Sequence, residues 1–334
     1  SRLFGLSLSS NRFQGVLPPS LLNLTIGIQQ ILMNGNRISG LIPQEIGKLS
    51  NLRVLALADN ALTGTIPDTI GGLRNMTGLD VSGNNLSGEI APMLVANLTQ
   101  LAFLDLSQNE LHESIPESFG TMRNIVILDL SYNQFTGMIP KQVLSLSSLT
   151  LFLNLSHNIF SGPIPSEVGR LTSLGILDLS NNRLSGEIPQ ALSQCQAMEY
   201  LFLQGNQLVG MIPQSLSSLK GLEYLDMSQN NLSGSVPDFL STLQYLHYLN
   251  LSYNQFDGPV PAIGVFNDSR NFFAAGNRVC GGVSELQLPK CSGTDNSGKR
   301  LYKSRTVLIL IITIGSFLAL ILITCTFVMY AKRL

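Results

Sequence analysis

The chain has 334 residues, of which 44% are hydrophobic and only 12% are charged, and its formal net charge is −1. This balance, without long runs of like charge, gives no reason to expect nucleic acid or another polyelectrolyte as a partner. The four cysteines include no CxxC pair and the three histidines are scattered, so we expect no metal site and no cofactor.

An internal repeat dominates the sequence from its first residues. The unit LxxLxLxxN returns with a spacing of 24 or 25 residues, and each asparagine is followed by a block that typically reads LSGxIP. The asparagines of the eleven copies are Asn11, Asn36, Asn60, Asn84, Asn109, Asn133, Asn158, Asn182, Asn206, Asn230 and Asn254. In the fifth copy Glu113 replaces the glycine of the second block.

The spacing of the unit predicts its structure. Alternation along a short strand sends leucines such as Leu177 and Leu179 to one face and Asp178 to the other. One short strand cannot bury its leucines, so neighbouring repeats must stack and share a core. Each asparagine amide is expected to pair with buried backbone groups, and GxIP to form a tight return segment. Residues 1–261 are therefore predicted to be an α/β-type solenoid of short parallel strands with irregular or 3₁₀ returns.

The end of the repeat array requires a cap, because an open solenoid end exposes its core. We assign residues 262–291 to this cap, in which Asn277 keeps the period while the leucines are lost. A Cys280–Cys291 disulfide would close a loop of about 12 residues and stabilise the cap by roughly 3 kcal/mol. Cys195 is expected to be a buried structural thiol.

A membrane anchor is predicted after the cap. Residues 292–306 form a polar juxtamembrane linker, and the 24 residues from Val307 to Tyr330 contain no charge. A helix of this length spans about 36 Å, enough to cross a bilayer core of about 30 Å. Residues 331–334 would begin the cytoplasmic tail, and an export signal is expected upstream of Ser1.

Potential N-glycosylation sites all precede the predicted span. Together with the cap disulfide they favour a plasma-membrane, single-pass topology with the repeats outside. The sequons begin at Asn23, Asn75, Asn85, Asn97, Asn154, Asn231, Asn250 and Asn267. Asn154 and Asn250 fall within strands on the expected concave face, where a glycan would block binding.

Strand residues that alternate with the leucines are the candidate ligand-binding positions. Most form a ladder of aspartates and serines, which is the default surface of such repeats, so departures from it are more informative. Toward the membrane the column two residues before the aspartates turns aromatic, and the ninth repeat replaces aspartate by Phe202 and serine by Gln204. A second unusual stretch lies near the start of the chain. The candidate residues are Phe103, Tyr200, Phe202, Gln204, Tyr224, Tyr248, Gln30 and Arg53. Ordinary variation on an unused surface is the competing interpretation.

Several stretches extend beyond the repeat skeleton, including SSLKG, the segment from GVF to VCGG, and GNRVCGGVSELQLPKC. With these, the chain resembles plant leucine-rich-repeat receptor-like kinases of the LxGxIP type, in the subfamily of the rice bacterial-blight receptor and the bacterial elongation-factor receptor. The resemblance implies a longer ectodomain, a peptide or protein ligand, a short-ectodomain co-receptor kinase, and plant immune perception. It also implies a cytoplasmic serine/threonine kinase after the span.

No kinase motif occurs in the chain itself, so we expect it not to be an enzyme. Three functions follow from these observations. The first is ligand perception coupled across the membrane, and the second is a kinase-less receptor-like protein or decoy. The third, a wall-associated inhibitor of pathogen enzymes, is disfavoured by the predicted span.

Overall fold

The computed structural model describes residues 3–18, 20 and 27–291. The predicted linker, span and tail, and the sequon at Asn23, lie outside the described residues. Of two compact units, Ser1–Pro289 and Lys290–Leu334, the first contains all strands and helices described here. Within the described residues no helix is long and apolar enough to cross a membrane.

Two strands are formed by nearly every repeat, and we number them in chain order. The first strand of each repeat joins one twelve-stranded parallel sheet, which we call the long sheet. Its strands are β1 (Gly5–Ser7), β3 (Gln30–Leu32), β5 (Val54–Ala56), β7 (Gly78–Asp80), β9 (Phe103–Asp105), β11 (Ile127–Asp129), β13 (Phe152–Asn154), β15 (Ile176–Asp178), β17 (Tyr200–Phe202), β19 (Tyr224–Asp226), β21 (Tyr248–Asn250) and β23 (Phe272–Phe273). The prediction of a parallel-stranded solenoid is thus confirmed.

The second strands correct one detail of the sequence interpretation, because the LSGxI blocks are more regular than plain return segments. They pair into two six-stranded parallel sheets, one formed by the even-numbered strands from β2 to β12 and the other by those from β14 to β24. Their bounds are β2 (Gln14–Val16), β4 (Arg37–Leu41), β6 (Ala61–Gly64), β8 (Asn85–Gly88), β10 (Glu110–Glu113), β12 (Gln134–Phe135), β14 (Ser161–Pro163), β16 (Arg183–Glu187), β18 (Gln207–Gly210), β20 (Asn231–Ser235), β22 (Gln255–Val260) and β24 (Arg278–Gly281). Even Pro163 and Pro259 occupy strand positions.

Helical turns connect the second strands back to the long sheet. Prolines of the GxIP block precede seven of them, with φ between −61° and −70°, the value at which the pyrrolidine ring holds the backbone. One turn is α-helical, Pro92–Ala96 (α1). The 3₁₀ turns are Gln44–Lys48, Asp68–Gly72, Glu117–Thr121, Val143–Ser145, Ser166–Arg170, Gln190–Gln194, Gln214–Ser218, Asp238–Thr242, Gly264–Asn267 and Ser284–Leu286.

A continuous apolar core runs between the long sheet and the other elements, as the leucine pattern predicts. Leu177 and Leu179 are fully buried, and the ring of Phe135 stacks on that of Phe160 in the same core. Cys195 is a buried free thiol whose Sγ lies 3.2 Å from the Val168 carbonyl oxygen. Burial raises the pKa of Cys195 to about 11. The prediction of a structural thiol is confirmed.

The repeat asparagines form a ladder of hydrogen bonds that fixes the turn after each long-sheet strand. Asn182 is typical: its Nδ2 donates to the carbonyl oxygens of Leu155 (3.0 Å), Leu179 (3.2 Å) and Ser180 (3.1 Å). Its Oδ1 accepts from the Phe160 backbone N–H at 3.0 Å. These contacts satisfy backbone groups that would otherwise be buried without partners, as the sequence predicts.

The cap continues this construction. Asn277 donates to the Leu251 carbonyl oxygen at 2.9 Å and accepts from the Phe256 N–H at 3.0 Å. Cys280 and Cys291 are each disulfide-bonded. The pairing of one with the other stays a prediction.

Candidate functional site

The solvent face of the long sheet carries the residues that alternate with the buried leucines. The register of the sheet is exact from repeat to repeat, so equivalent residues line up in columns. Ile176, Tyr200, Tyr224 and Tyr248 pair successively in one column. Asp178, Phe202, Asp226 and Asn250 pair in the next. The face is therefore one surface whose chemistry is set by a single residue per repeat and column.

In the middle of this face the aspartates form what we call the acid ladder: Asp80, Asp105, Asp129 and Asp178. Each accepts hydrogen bonds from the serine two residues later, as Ser131 N–H does to Asp129 Oδ1 at 2.9 Å. Desolvation by burial nevertheless raises the pKa of all four carboxyls, because it outweighs the serine hydrogen bonds that lower it.

Toward the cap the same face carries a stack of five aromatic side chains, which we call the aromatic face: Tyr200, Tyr224 and Tyr248 in the column of Ile176, and Phe202 and Phe273 in the column of the aspartates. Ring centroids are 6.3 Å apart for Tyr200–Tyr224, 3.8 Å for Tyr224–Tyr248 and 5.4 Å for Tyr248–Phe273. Phe202 lies 6.5 Å from Tyr200 and 5.1 Å from Tyr224. All five side chains are partly exposed.

The stacked geometry determines which parts of the rings a partner can contact. The planes of Tyr224 and Tyr248 differ by only 5°, so the two rings turn their faces to each other and their edges outward. The other ring pairs of this face have the separations at which offset or tilted aromatic pairs are worth about 0.5–1.5 kcal/mol beyond the area they bury. The aromatic face is thus a partly pre-packed surface that loses little side-chain freedom on binding.

Carboxylates flank the aromatic face. Tyr200 donates its hydroxyl to Glu223 Oε2 at 3.2 Å, and this hydrogen bond raises the pKa of Tyr200. On the other side Asp226 accepts from Ser228 N–H (2.9 Å) and from Asn250 Nδ2 (3.1 Å). Burial, and after it the Tyr248 hydroxyl, raise the pKa of Tyr224.

Gln204 borders the aromatic face at the position where most repeats have serine. Its side chain is partly buried, and its Oε1 has no hydrogen-bond partner in the structure. The amide therefore has unused acceptor capacity next to Phe202.

Phe273 was missed by the sequence interpretation. It lies in β23, in register with Asn250, and it extends the stack into the cap. The signal was present, because Phe273 precedes Asn277 by four residues, the same offset at which Phe202 precedes Asn206.

The remaining candidates lie elsewhere on the long sheet. Phe103 begins β9, four strands from β17, or about 19 Å at 4.8 Å per strand. Gln30 begins β3, seven strands from β17 or about 34 Å. The exposed Arg53 immediately precedes β5, six strands from β17 or about 29 Å. The structure therefore assembles Tyr200, Phe202, Gln204, Tyr224 and Tyr248 but leaves these three outside that group.

Two of the sequons lie on this face, and their amide nitrogens are already engaged. Asn154 Nδ2 donates to Asp129 Oδ2 at 3.2 Å, and Asn250 Nδ2 donates to Asp226 Oδ2 at 3.1 Å. Asn75, Asn85, Asn231 and Asn267 are exposed, and Asn97 is partly exposed.

Comparison with known proteins agrees with the repeat architecture. Profiles of leucine-rich repeats match residues 26–86 and 50–111 and, for single repeats, 2–24, 124–146, 151–171, 173–195, 197–219, 221–243 and 245–265. Together these matches cover more than half of the chain. A comparison with curated protein sequences found no match.

Among solved structures, the chain is similar to two receptor kinase ectodomains of Arabidopsis. One is GASSHO1/SCHENGEN3 in complex with CASPARIAN STRIP INTEGRITY FACTOR 2, at 32% identity and a TM-score of 0.75, covering 86% of this chain and 40% of that one. The other is HAESA in complex with the peptide hormone IDA and the co-receptor SERK1, at 32% identity and a TM-score of 0.76. That match covers 83% of this chain and 50% of HAESA.

A plant ice-binding protein is also similar, at 31% identity and a TM-score of 0.66, with 77% of this chain and 81% of that chain covered. The chain thus spans half or less of the two receptor ectodomains and most of the ice-binding protein. One fold carries these different activities, so the fold by itself does not choose a ligand. The repeat profiles and these structural matches show that the chain belongs to the leucine-rich-repeat family.

Proposed function

We propose that this chain is the ligand-binding ectodomain portion of a plant cell-surface receptor, with the aromatic face as its recognition surface. The observation that carries the proposal is the stack of five partly exposed aromatic rings, of which Phe202 and Phe273 stand in the column of the acid ladder. Tyrosine and other aromatic side chains are favoured anchors of protein interfaces, because they supply large contact areas at little entropic cost.

The structural neighbours support a peptide or protein as the ligand. The GASSHO1/SCHENGEN3 and HAESA structures are each complexes with a named peptide or factor, and the HAESA complex also contains SERK1. We therefore propose two partners, a peptide ligand and a short-ectodomain co-receptor. The aromatic face begins in the last repeats and extends through Phe273 into the cap.

The charges around the aromatic face restrict the chemistry of the partner. Glu199 and Glu223 border it on one side, Asp178 and Asp226 lie in its own columns, and its four strands contain no lysine or arginine. A partner surface of neutral or positive charge fits this setting, since like charges placed opposite each other are disfavoured. Binding of a positively charged partner is therefore expected to weaken as salt is raised.

Binding of the SERK1 ectodomain to the immobilised repeats, with and without fractions of secreted plant and bacterial peptides, tests the proposal. We expect a peptide fraction that induces or strengthens SERK1 binding. A surface that binds neither peptides nor SERK1 would contradict it. Thermal hysteresis measured on the same protein distinguishes a receptor from an ice-binding protein.

The wider architecture belongs to the same proposal: membrane coupling through residues 307–330, immune perception, and a serine/threonine kinase beyond the span. The kinase-less receptor or decoy is the alternative. Immunoblotting of deglycosylated membranes with an antibody to the repeats separates them, because the sequence alone accounts for 36.2 kDa. A much larger membrane-bound band supports the receptor kinase, and a band near this mass supports the decoy.

A further inference from the structure

Two tyrosines at the centre of the aromatic face are in contact. Tyr224 begins β19 and Tyr248 begins β21, and the two residues are direct partners in the parallel register. Their ring centroids are 3.8 Å apart with an angle of 5° between the planes, which is van der Waals contact over the whole ring. The backbone of both residues is held by the sheet, so the contact does not depend on a mobile loop.

No other pair of tyrosines in the described residues comes so close. Tyr200 and Tyr224 are 6.3 Å apart and inclined by 26°. Tyr132, Tyr245 and Tyr253 are more exposed, at 51%, 62% and 62%, and the one ring contact recorded among them joins Tyr132 to His157. The most exposed tyrosines are therefore not the two that are in contact. Reactions of the exposed tyrosines can thus be distinguished from a reaction within the Tyr224–Tyr248 pair.

Phenol rings in contact are suited to oxidative coupling. A tyrosine that loses one electron and its phenolic proton becomes a radical with spin density on the oxygen and on the ring carbons ortho and para to it. The para carbon carries the rest of the side chain, so two such radicals join through their ortho carbons. Two rings already at contact distance couple within one molecule, before a radical can meet a second molecule.

We propose that Tyr224 and Tyr248 form a site of oxidative cross-linking, at which a haem peroxidase using hydrogen peroxide joins the two rings as dityrosine. Each phenol loses one electron and one proton, a carbon–carbon bond forms between the ortho positions, and the two ring hydrogens move to the phenolic oxygens. The two electrons and two protons reduce one hydrogen peroxide to two waters.

This cross-link would have a local and a functional consequence. It would join two successive repeats covalently across β19 and β21, and it would fix the two central rings of the aromatic face. A partner that requires these rings to adjust would then bind differently before and after oxidation. The inference does not depend on the receptor function, because it follows from the geometry of the pair alone.

The test uses the full chain in detergent micelles, treated at low concentration with a haem peroxidase and limiting hydrogen peroxide. We expect monomer with dityrosine fluorescence and an intact mass lower by two hydrogen atoms. Cleavage before aspartate should then give the fragment 178–225 joined to the fragment 238–256, with tandem mass spectra locating the bond at Tyr224 and Tyr248.

Phenylalanine variants supply the matched controls, because they keep the aromatic ring and remove only its hydroxyl group. Tyr248→Phe and Tyr224→Phe should each reduce monomer fluorescence to background, whereas Tyr200→Phe and Tyr245→Phe should leave it unchanged. Undiminished monomer cross-linking in Tyr248→Phe would overturn the proposal. So would a product consisting only of dimers joined through Tyr132, Tyr245 or Tyr253.

Discussion

The acid ladder and the aromatic face share one backbone and differ in the surface residues of two neighbouring columns. Both are built on parallel strands of three residues with fully buried leucines, such as Leu128 and Leu201. In the acid ladder burial works against the charged form of the carboxyls, whereas in the aromatic face it packs rings against each other. The solenoid skeleton therefore tolerates both surface carboxyls that burial disfavours and surface rings that burial favours. The surface residues of the long sheet can thus change to suit a partner without changing the core.

The largest expected effect comes from breaking the skeleton that both regions share. Asn133→Ala, under the acid ladder, and Asn206→Ala, under Phe202, each remove an amide that donates to three carbonyl oxygens and accepts from one N–H. Because these groups lose their partners in a buried position, we expect each variant to lower the free energy of unfolding by about 3 kcal/mol. Urea denaturation followed by circular dichroism measures both.

The comparison requires the two losses to be similar. A loss confined to Asn206→Ala would mean that the skeleton differs between the regions. Asn231→Ala is the control, since Asn231 is an exposed asparagine outside this ladder and should change stability little.

The next effect separates the two surfaces. Tyr224→Ala removes the ring that contacts Tyr200, Phe202 and Tyr248, so we expect a loss of about 2 kcal/mol in unfolding free energy, below the cost of truncating a fully buried ring. Tyr224→Phe keeps the stack and should lose much less. Equal losses in both variants, measured by the same denaturation, would show that the hydroxyl rather than the stack stabilises this face.

A smaller effect is expected from Glu113 in the fifth repeat. Its φ is 67°, where other repeats place a glycine with φ near 80°, such as Gly210 at 81° and Gly234 at 84°. A side chain strains the left-handed backbone by about 1 kcal/mol, and glycine partly offsets the relief through unfolded-state entropy. We therefore expect Glu113→Gly to increase the free energy of unfolding by about 0.5 kcal/mol, which a slightly higher melting temperature would show. No rise would mean that this turn is not strained.

The smallest effect concerns the pH dependence of the acid ladder. Because the pKa of Asp129 is raised in the folded state, that state holds a proton up to a higher pH than the unfolded chain. Stability should therefore decline as pH rises from about 4, the pKa of an unfolded aspartate, through the raised pKa. Asp129→Asn should reduce this decline and increase stability at neutral pH.

Asn154, which occupies the same column one repeat later, shows that an amide fits this position. The measurement is thermal unfolding between acid and neutral pH, with Asp257→Asn, an exposed aspartate in β22 outside the long sheet, as the comparison. A steeper decline in Asp129→Asn than in the unmodified chain would contradict the assignment.

Much of the fold was predictable because the period of the asparagines fixes the strands, the core leucines and the hydrogen-bond ladder. Cys195 was recognisable as a core thiol from its leucine-rich surroundings. The pairing of the LSGxI blocks into second sheets was not, since those blocks contain glycine and proline and lack the alternation that marks a strand.

The sequence predicted which candidate residues share a column of the long sheet, but not which of their side chains are in contact. Equal offsets from the asparagines placed Tyr200, Tyr224 and Tyr248 on one face, yet only coordinates separate a contact of 3.8 Å from one of 6.3 Å. Phe273 escaped because the cap has lost the leucines that mark a repeat. Phe103 shares the tyrosines' column, but Ile127 and Ile176 interrupt the aromatic run between them.

The most direct test of the aromatic face as the recognition surface is one affinity comparison. The dissociation constant of the SERK1 ectodomain, with the activating peptide fraction, is measured on the unmodified repeats, on Tyr200→Ala/Tyr248→Ala, and on the matched control Phe103→Ala/Phe152→Ala. If Tyr200 and Tyr248 form a binding hot spot, the tyrosine variant weakens binding by about 30-fold or more, equivalent to about 2 kcal/mol, while the control keeps its affinity. Equal affinities for all three proteins would contradict the account.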